Sequence, residues 1–189
     1  MLRSFKLEGI ILKRRNSGEA DRILTVLTQN MGKIKIKAPG VRKILSRRSP
    51  HIEPLNISIL TLYKGSPASF PILTEAISIE RFPIIKKDLR LIGFAYYLCE
   101  LVSSLCPQNQ ENREIFFLLK NTLSQLTKGN NPSSPAGGLV SYFEKELLRY
   151  LGFWKEASLL ETQDSKEVIE GILERRLKTL RVLPLFISS

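Results

Sequence analysis

One histidine and two cysteines among 189 residues leave this chain short of the usual means of holding a transition metal. Zinc sites need clustered cysteine and histidine, and no Cys-x-x-Cys pair occurs. Cys99 and Cys106, seven apart in an apolar helical pattern, read as buried small hydrophobes of a reducing compartment. His51 follows Pro50 with no serine or cysteine nucleophile signature beside it and reads as a loop histidine. The G-x-x-x-x-G-K-[ST], H-E-x-x-H and G-x-S-x-G signatures are all missing. The carboxylates from the start of the chain to Phe82 are Glu8, Glu19, Asp21, Glu53, Glu75 and Glu80, too scattered for metal-assisted nuclease chemistry. Neither an enzyme nor a cofactor is expected. Long apolar runs are missing too: Gly9–Leu12 is too short for a signal-peptide core and nothing later approaches a spanning helix, so a cytoplasmic protein is expected.

Acidic residues are the most telling shortage. The chain carries 29 Lys and Arg against 18 Asp and Glu, but residues 1–50 hold 13 of the basic residues and only 3 of the acidic ones. The rest of the chain is nearly balanced, with 16 and 15. A one-sided basic block is the electrostatic footprint of a polyanion partner. Its densest part is "KIKIKAPGVRKILSRR", Lys33 to Arg48, with seven Lys or Arg in sixteen residues and no acid. The period-two alternation of Lys33, Lys35 and Lys37 with Ile34 and Ile36 predicts a strand with the lysines on one face and the isoleucines in a core. Glu19 and Asp21 are expected to pair with Arg22 across a hairpin.

Five alternating or β-branched runs divide the chain as far as Phe82: Phe5–Arg15, Asp21–Gln29, Lys33–Ala38, Pro54–Gly65 and Pro71–Arg81. Three short connections imply hairpins, and the long basic one, residues 39–53, is expected to be free to move. Five strands in a stretch of this length suit a partly open barrel of the OB type. After Phe82–Pro83 the spacing becomes helical. Leu91, Ala95, Leu98, Cys99, Val102 and Leu105 form one apolar face, Asp88 stands near the start and Pro107 after the end. Further helices are expected over 112–127, 139–151 and 166–183, with a flexible break over 128–138. The predicted class is α+β, an OB barrel over 1–82 and a helical domain over 83–189.

Such a barrel binds nucleic acid on exposed strand faces and long loops. The candidate contacts are Lys13, Arg14, Arg15, Arg22, Lys33, Lys35, Lys37, Arg42, Lys43, Arg47 and Arg48. Residues 1–62 contain one aromatic, Phe5, so base stacking is expected to be minor and phosphate contact dominant. Phosphate binding serves single and double strands alike, and screening two complementary strands helps them anneal. An RNA-binding or ribosome-associated barrel acting through A-form shape is the alternative. Attachment to anionic membranes is disfavoured, because the basic block lies on strands and not on an amphipathic helix.

The segments "EGIILKRRNSGEADRILTVLTQNMGKI", "APGVRK", "HIEPLNISILTLYKG" and "ILTEAISIERFP", in that order, resemble the RecO family of bacterial recombination mediators. "KDLRLIGFAYYLCELV", "YFEKELLRYLGF" and "LERRLKTLRVL" carry the similarity into the helices. The resemblance implies a DNA-repair protein that binds single- and double-stranded DNA and anneals strands. It further implies that the protein works with RecR to load RecA onto DNA coated by single-strand DNA-binding protein, and so is nucleoid-associated. Many relatives hold a four-cysteine zinc module before the last helix. Here "WKEASLLETQDSKEV" fills that gap without cysteine, so the helical domain is expected to be shortened and metal-free. Basic residues often precede the Phe-Glu pair at Phe143 and Glu144, where this chain has Val140, Ser141 and Tyr142. Lys120 and Arg149 are the candidates here for holding the acidic tail of single-strand DNA-binding protein.

Overall fold

The computed structural model describes residues 3–66, 68–128, 136–153, 165–173 and 179. Five strands come first: β1 (Arg3–Ser17), β2 (Asp21–Thr28), β3 (Gly32–Ala38), β4 (Ile57–Lys64) and β5 (Ile72–Glu80). Helices follow: α1 (Pro83–Lys87), α2 (Leu89–Leu105), α3 (Arg113–Lys128), α4 (Ala136–Tyr150) and α5 (Ser165–Leu173). Of the expected flexible break over 128–138, Lys128 ends α3 and residues 136–138 open α4, and of the cysteine-free gap over 154–168, residues 165–168 belong to α5; the remainder of each falls outside the described residues. So does most of the last predicted helix beyond Leu173. The short α1 was not expected; Pro83 opens it at the first helical position, where a missing N–H costs nothing.

The strands close into a barrel in the order β1-β2-β3-β5-β4, the α+β arrangement of an OB barrel followed by helices. β1 makes closure possible by pairing with β4 through Arg3–Ile10 and with β2 through Gly9–Ser17. A register shift between Ile11 and Lys13 inserts Leu12 as an extra residue, the bend that carries one strand between two neighbours. The seam is a parallel contact of β3 with β5 at Lys37 and Ile72. Ile11, Leu24, Val26, Ile34, Ile36, Leu60, Leu62 and Leu73 fill the interior as alternation requires. Val41 and Ile52 join them from the long loop, both wholly buried.

The chain divides into two compact units, Met1–Arg81 with Pro107–Phe116, and Phe82–Cys106 with Phe117–Ser189. A single cut at residue 82 therefore leaves out the segment after α2 that returns to the barrel. There the Asn109 N–H donates to the Lys33 carbonyl at 2.9 Å, and Gln108 bridges to Lys33. Gly32 makes this approach possible: its φ is +64°, and a Cβ there would lie 1.8 Å from the Gln110 carbonyl oxygen.

In the second unit the Asp88 side chain caps α2 by accepting from the N–H groups of Arg90 and Leu91. Leu91, Ala95, Leu98, Cys99, Leu101 and Val102 are buried, whereas Leu105 is half-buried, at the helix end. Cys99 and Cys106 are both buried, and burial pushes the Cys99 thiol up to about 12, which keeps it an inert core residue. Val140, Phe143, Leu147 and Leu148 supply the buried face of α4. On that same face Glu144 is 1% exposed, and its carboxyl accepts from Tyr97 Oη at 2.6 Å and from Ser165 Oγ. One carboxyl thus fastens α2, α4 and the start of α5.

Candidate nucleic-acid interface

The barrel's outer face brings together residues from four strands. Lys13 pairs with Thr25 and Thr25 with Lys35, so these three lie in one cross-strand row. Arg15, Ile23, Lys37 and Ile72 make the next row. Neighbouring strands are about 4.8 Å apart, so the β1 and β3 cations stand roughly 10 Å from each other across β2. Lys13, Arg15 and Lys37 are exposed and Lys35 is half-buried. Lys33, expected beside them, is 7% exposed. It shares their face of β3, but the returning Gln108–Asn109 segment runs over that end of the strand.

Alternation separates the three consecutive cations of β1. Lys13 and Arg15 point out, while Arg14 is paired in register with the core residue Leu24 and turns toward the mouth of the barrel. There Glu53 accepts from Arg14, and Arg22 lies 3.5 Å from the same carboxylate with 16% of its side chain exposed. Arg22 was expected to meet Glu19 or Asp21. Asp21 instead accepts the Gly40 N–H at 2.9 Å and lies 3.4 Å from Lys37 Nζ. The Gly40 hydrogen bond is the chief reason its carboxyl sits below the ordinary aspartate range; desolvation opposes this, and Lys37 and Lys43 reinforce it. The basic row is thus partly balanced, by acids that lie outside the Lys33–Arg48 run.

The long loop is tied down along most of its length. The Arg42 N–H donates to Ala20 and its guanidinium to Gly18, which fixes the outgoing arm on the β1–β2 turn. Arg48 donates to the Leu73 carbonyl at 2.6 Å and to the Pro39 carbonyl at 2.7 Å, joining the loop's two arms to β5. Asn56 donates to Pro50, and Ser58 to His51. The expectation of a freely moving loop therefore fails for its arms, and even the tip is folded by turn hydrogen bonds from the Lys43 N–H to Gly40 and from the Ser46 N–H to Lys43. At that tip Lys43 and Arg47 are exposed, and between them Ile44 and Leu45 stand wholly in solvent.

One residue outside the sequence-derived set belongs with the row. Phe70, in the β4–β5 connection, is 45% exposed, and Lys35 Nζ lies 5.9 Å from its ring centroid. Parallel pairing explains the meeting: with Lys37 opposite Ile72, Phe70 comes level with Lys35. In the second unit Lys120 is half-buried on α3, and Arg149 on α4 is exposed and forks onto Glu146 at 2.6 and 3.3 Å. Among the described residues no cluster of three or more His, Cys, Asp or Glu is placed to hold a metal, and no helix is long and apolar enough to cross a membrane.

Comparison with known proteins agrees with this architecture. Residues 1–82 match the family model for the recombination protein O N-terminal region, and residues 86–154 match that for its C-terminal region. The chain is 33% identical over 152 residues to the DNA repair protein RecO of Pelotomaculum thermopropionicum, covering 80% of this chain and 57% of that protein. It is 36% identical over 152 residues to the RecO protein of Dehalococcoides mccartyi, covering 80% and 58%. With that of a Roseiflexus species it is 39% identical over 127 residues, covering 67% and 44%. The chain spans about half the length of these curated relatives. Matched in order through barrel and helices alike, it belongs to the RecO family.

Proposed function

We propose that this protein is a DNA-repair and recombination mediator whose barrel binds single- and double-stranded DNA through phosphates. The observation that carries this reading is the convergence of Lys13, Arg15, Lys35 and Lys37 on one outer face of the barrel. Arg42, Lys43 and Arg47 extend that charge along the loop. Arg14 and Arg22 face Glu53, and Arg48 faces the Leu73 and Pro39 carbonyls, so these three add to the field while being turned toward the protein. Lys33 acts through the strand it belongs to. Cations spaced along a sheet hold a phosphate chain without reading sequence. Two strands screened on one surface anneal faster, and no chemical step is required, so the role is that of a binding protein and not an enzyme.

The family relationship supports the rest of the proposal: cooperation with RecR, delivery of RecA, and capture of the acidic tail of single-strand DNA-binding protein by the helical unit near Lys120 and Arg149. Such work places the protein in the cytoplasm, at the nucleoid. The decisive experiment is the salt dependence of oligonucleotide binding, with annealing followed alongside. Each phosphate neutralised contributes about −0.7 to the log–log slope on single strands and about −0.9 on duplex. A Lys35→Ala, Lys37→Ala variant should be shallower by roughly 1.4 on single strands and anneal more slowly. Wild-type slope and annealing in that variant would remove this face from the interface. Stronger binding to RNA hairpins than to either DNA form would favour the RNA-binding alternative.

A further inference from the structure

We infer that Phe70 is a base-stacking platform that makes this face prefer single-stranded over duplex nucleic acid. The inference rests on the phosphate-binding reading above and adds to it a means of discrimination. Phe5 and Tyr63 are half-buried and Phe116 is wholly buried, so among the described residues of the barrel unit Phe70 alone offers an exposed aromatic ring. It does so beside the cationic row. Lys13, Thr25, Lys35 and Phe70 follow one another across β1, β2, β3 and the lead-in to β5, with three polar or charged positions leading to one ring.

The chemistry of each position then has a distinct part. A lysine ammonium 5.9 Å from a ring centroid is at the outer limit of a cation–π contact, so it holds the ring loosely and leaves it open to a base. A phosphate arriving at Lys35 draws the ammonium away, and the base of the same nucleotide falls over the ring. Stacking is tolerant of base identity because every base presents a π-face. A duplex keeps its bases stacked on each other inside the helix, so it gains the phosphate contacts and not the ring. The platform therefore gives a strand preference without sequence preference. It also gives a handle for annealing, since a base held on Phe70 is released when a complementary strand restacks it.

The test uses the full chain and three labelled probes at one salt concentration: an oligothymidylate, the same strand with abasic positions throughout its centre, and a duplex. Phe70→Ala should weaken binding to the intact single strand by roughly 5- to 150-fold, the range that alanine replacement of stacking aromatics produces. Binding to duplex and to the abasic strand should stay within about twofold of wild type, which also shows that the barrel is folded. Phe70→Tyr should restore the intact-strand affinity. An unchanged affinity for the intact strand, or equal losses on all three probes, would overturn the platform. The Lys35→Ala, Lys37→Ala variant serves as the separate control: it should lose affinity for every probe. If it does while Phe70→Ala changes nothing, the phosphate reading stands and the platform alone falls. If the wild type binds none of the probes, both fall together.

Discussion

The barrel and the helical unit handle polar side chains in opposite ways. Lys33 apart, the barrel turns its cations outward or pairs them with carboxylate and carbonyl oxygens, as Arg14, Arg22 and Arg48 are. The helical unit takes a carboxyl into its interior and satisfies it with two hydroxyl groups, Tyr97 and Ser165. A charged surface held in place by short polar ties suits reversible contact with a polyanion. A polar knot amid leucine and phenylalanine instead specifies how three helices meet, since any other packing would leave Glu144 without donors. The barrel is thus built around its surface and the helical unit around its interior.

The largest effect that would sharpen this division comes from the helical core. Leu98 is fully buried on α2, and Leu98→Ala should cost about 2–5 kcal/mol in chemical denaturation, through lost burial and an unfilled cavity. Oligonucleotide affinity below the unfolding transition should stay at the wild-type value, because no cation of the barrel face depends on that side chain. A cost under about 1 kcal/mol would mark the α2 stripe as a surface. Intact stability with lost DNA binding would break the division outright.

A smaller effect separates two consecutive arginines of the barrel. Arg47 is exposed at the loop tip, whereas Arg48 donates to two carbonyls. Arg47→Ala should change stability by less than about 0.5 kcal/mol. It should make the single-strand salt slope shallower by roughly 0.7. Arg48→Ala should do the reverse, costing about 1–2 kcal/mol as the Leu73 and Pro39 carbonyls lose their donors, with little change of slope. Equal slope changes in the two variants would mean that Arg48 leaves its carbonyls when DNA arrives.

That pair also shows what a sequence can and cannot convey. Alternating Ile34 and Ile36 against Lys35 and Lys37 made β3 and its facing legible, because a period of two admits one arrangement of inside and outside. The five strands and the face of α2 were legible for the same kind of reason. Arg48 was not, since only the tertiary course of the loop brings Leu73 and Pro39 to it. Glu53 was dismissed as a scattered acid, yet it holds Arg14 and Arg22, both on strands that precede the long loop. Phe70 lay outside a count of aromatics that stopped at residue 62, and a parallel seam between β3 and β5 is not a local signal. Lys33 had the right period but the wrong exposure, because the covering segment comes from beyond α2. Glu144 was not read as an inward position either: it falls at the three-and-four spacing of Val140, Phe143, Leu147 and Leu148, but a carboxylate argues for a surface, and only the Tyr97 and Ser165 hydroxyls explain its burial.

The smallest expected effect is a pH dependence confined to the barrel's mouth. His51 Nδ1 accepts the Ser78 backbone N–H at 3.1 Å, lies 3.0 Å from Ser78 Oγ, and has the Arg81 guanidinium at 3.2 Å. A ring nitrogen that faces a backbone donor and a cation must be unprotonated, so the neutral ring carries its proton on Nε2. Desolvation first, and then the Arg81 charge, push the imidazole below its ordinary value of 6.5. The unfolded chain therefore binds this proton more readily than the folded one, and stability rises with pH across the interval between the two values. The barrel should be fully stable above about pH 7 and lose a little as pH falls through 6.5 toward the lowered folded value. Because the ring is only half-buried the loss should be modest, and it should appear as a shift in denaturation midpoint. His51→Asn should flatten the curve below about pH 7, and Arg81→Ala should shrink the dependence while leaving its sign. Leu98→Ala lowers the whole curve without changing its slope if the two units keep their separate roles. A steeper fall in wild type that survives in His51→Asn would put the titrating group elsewhere and remove the mouth of the barrel as the seat of the pH response.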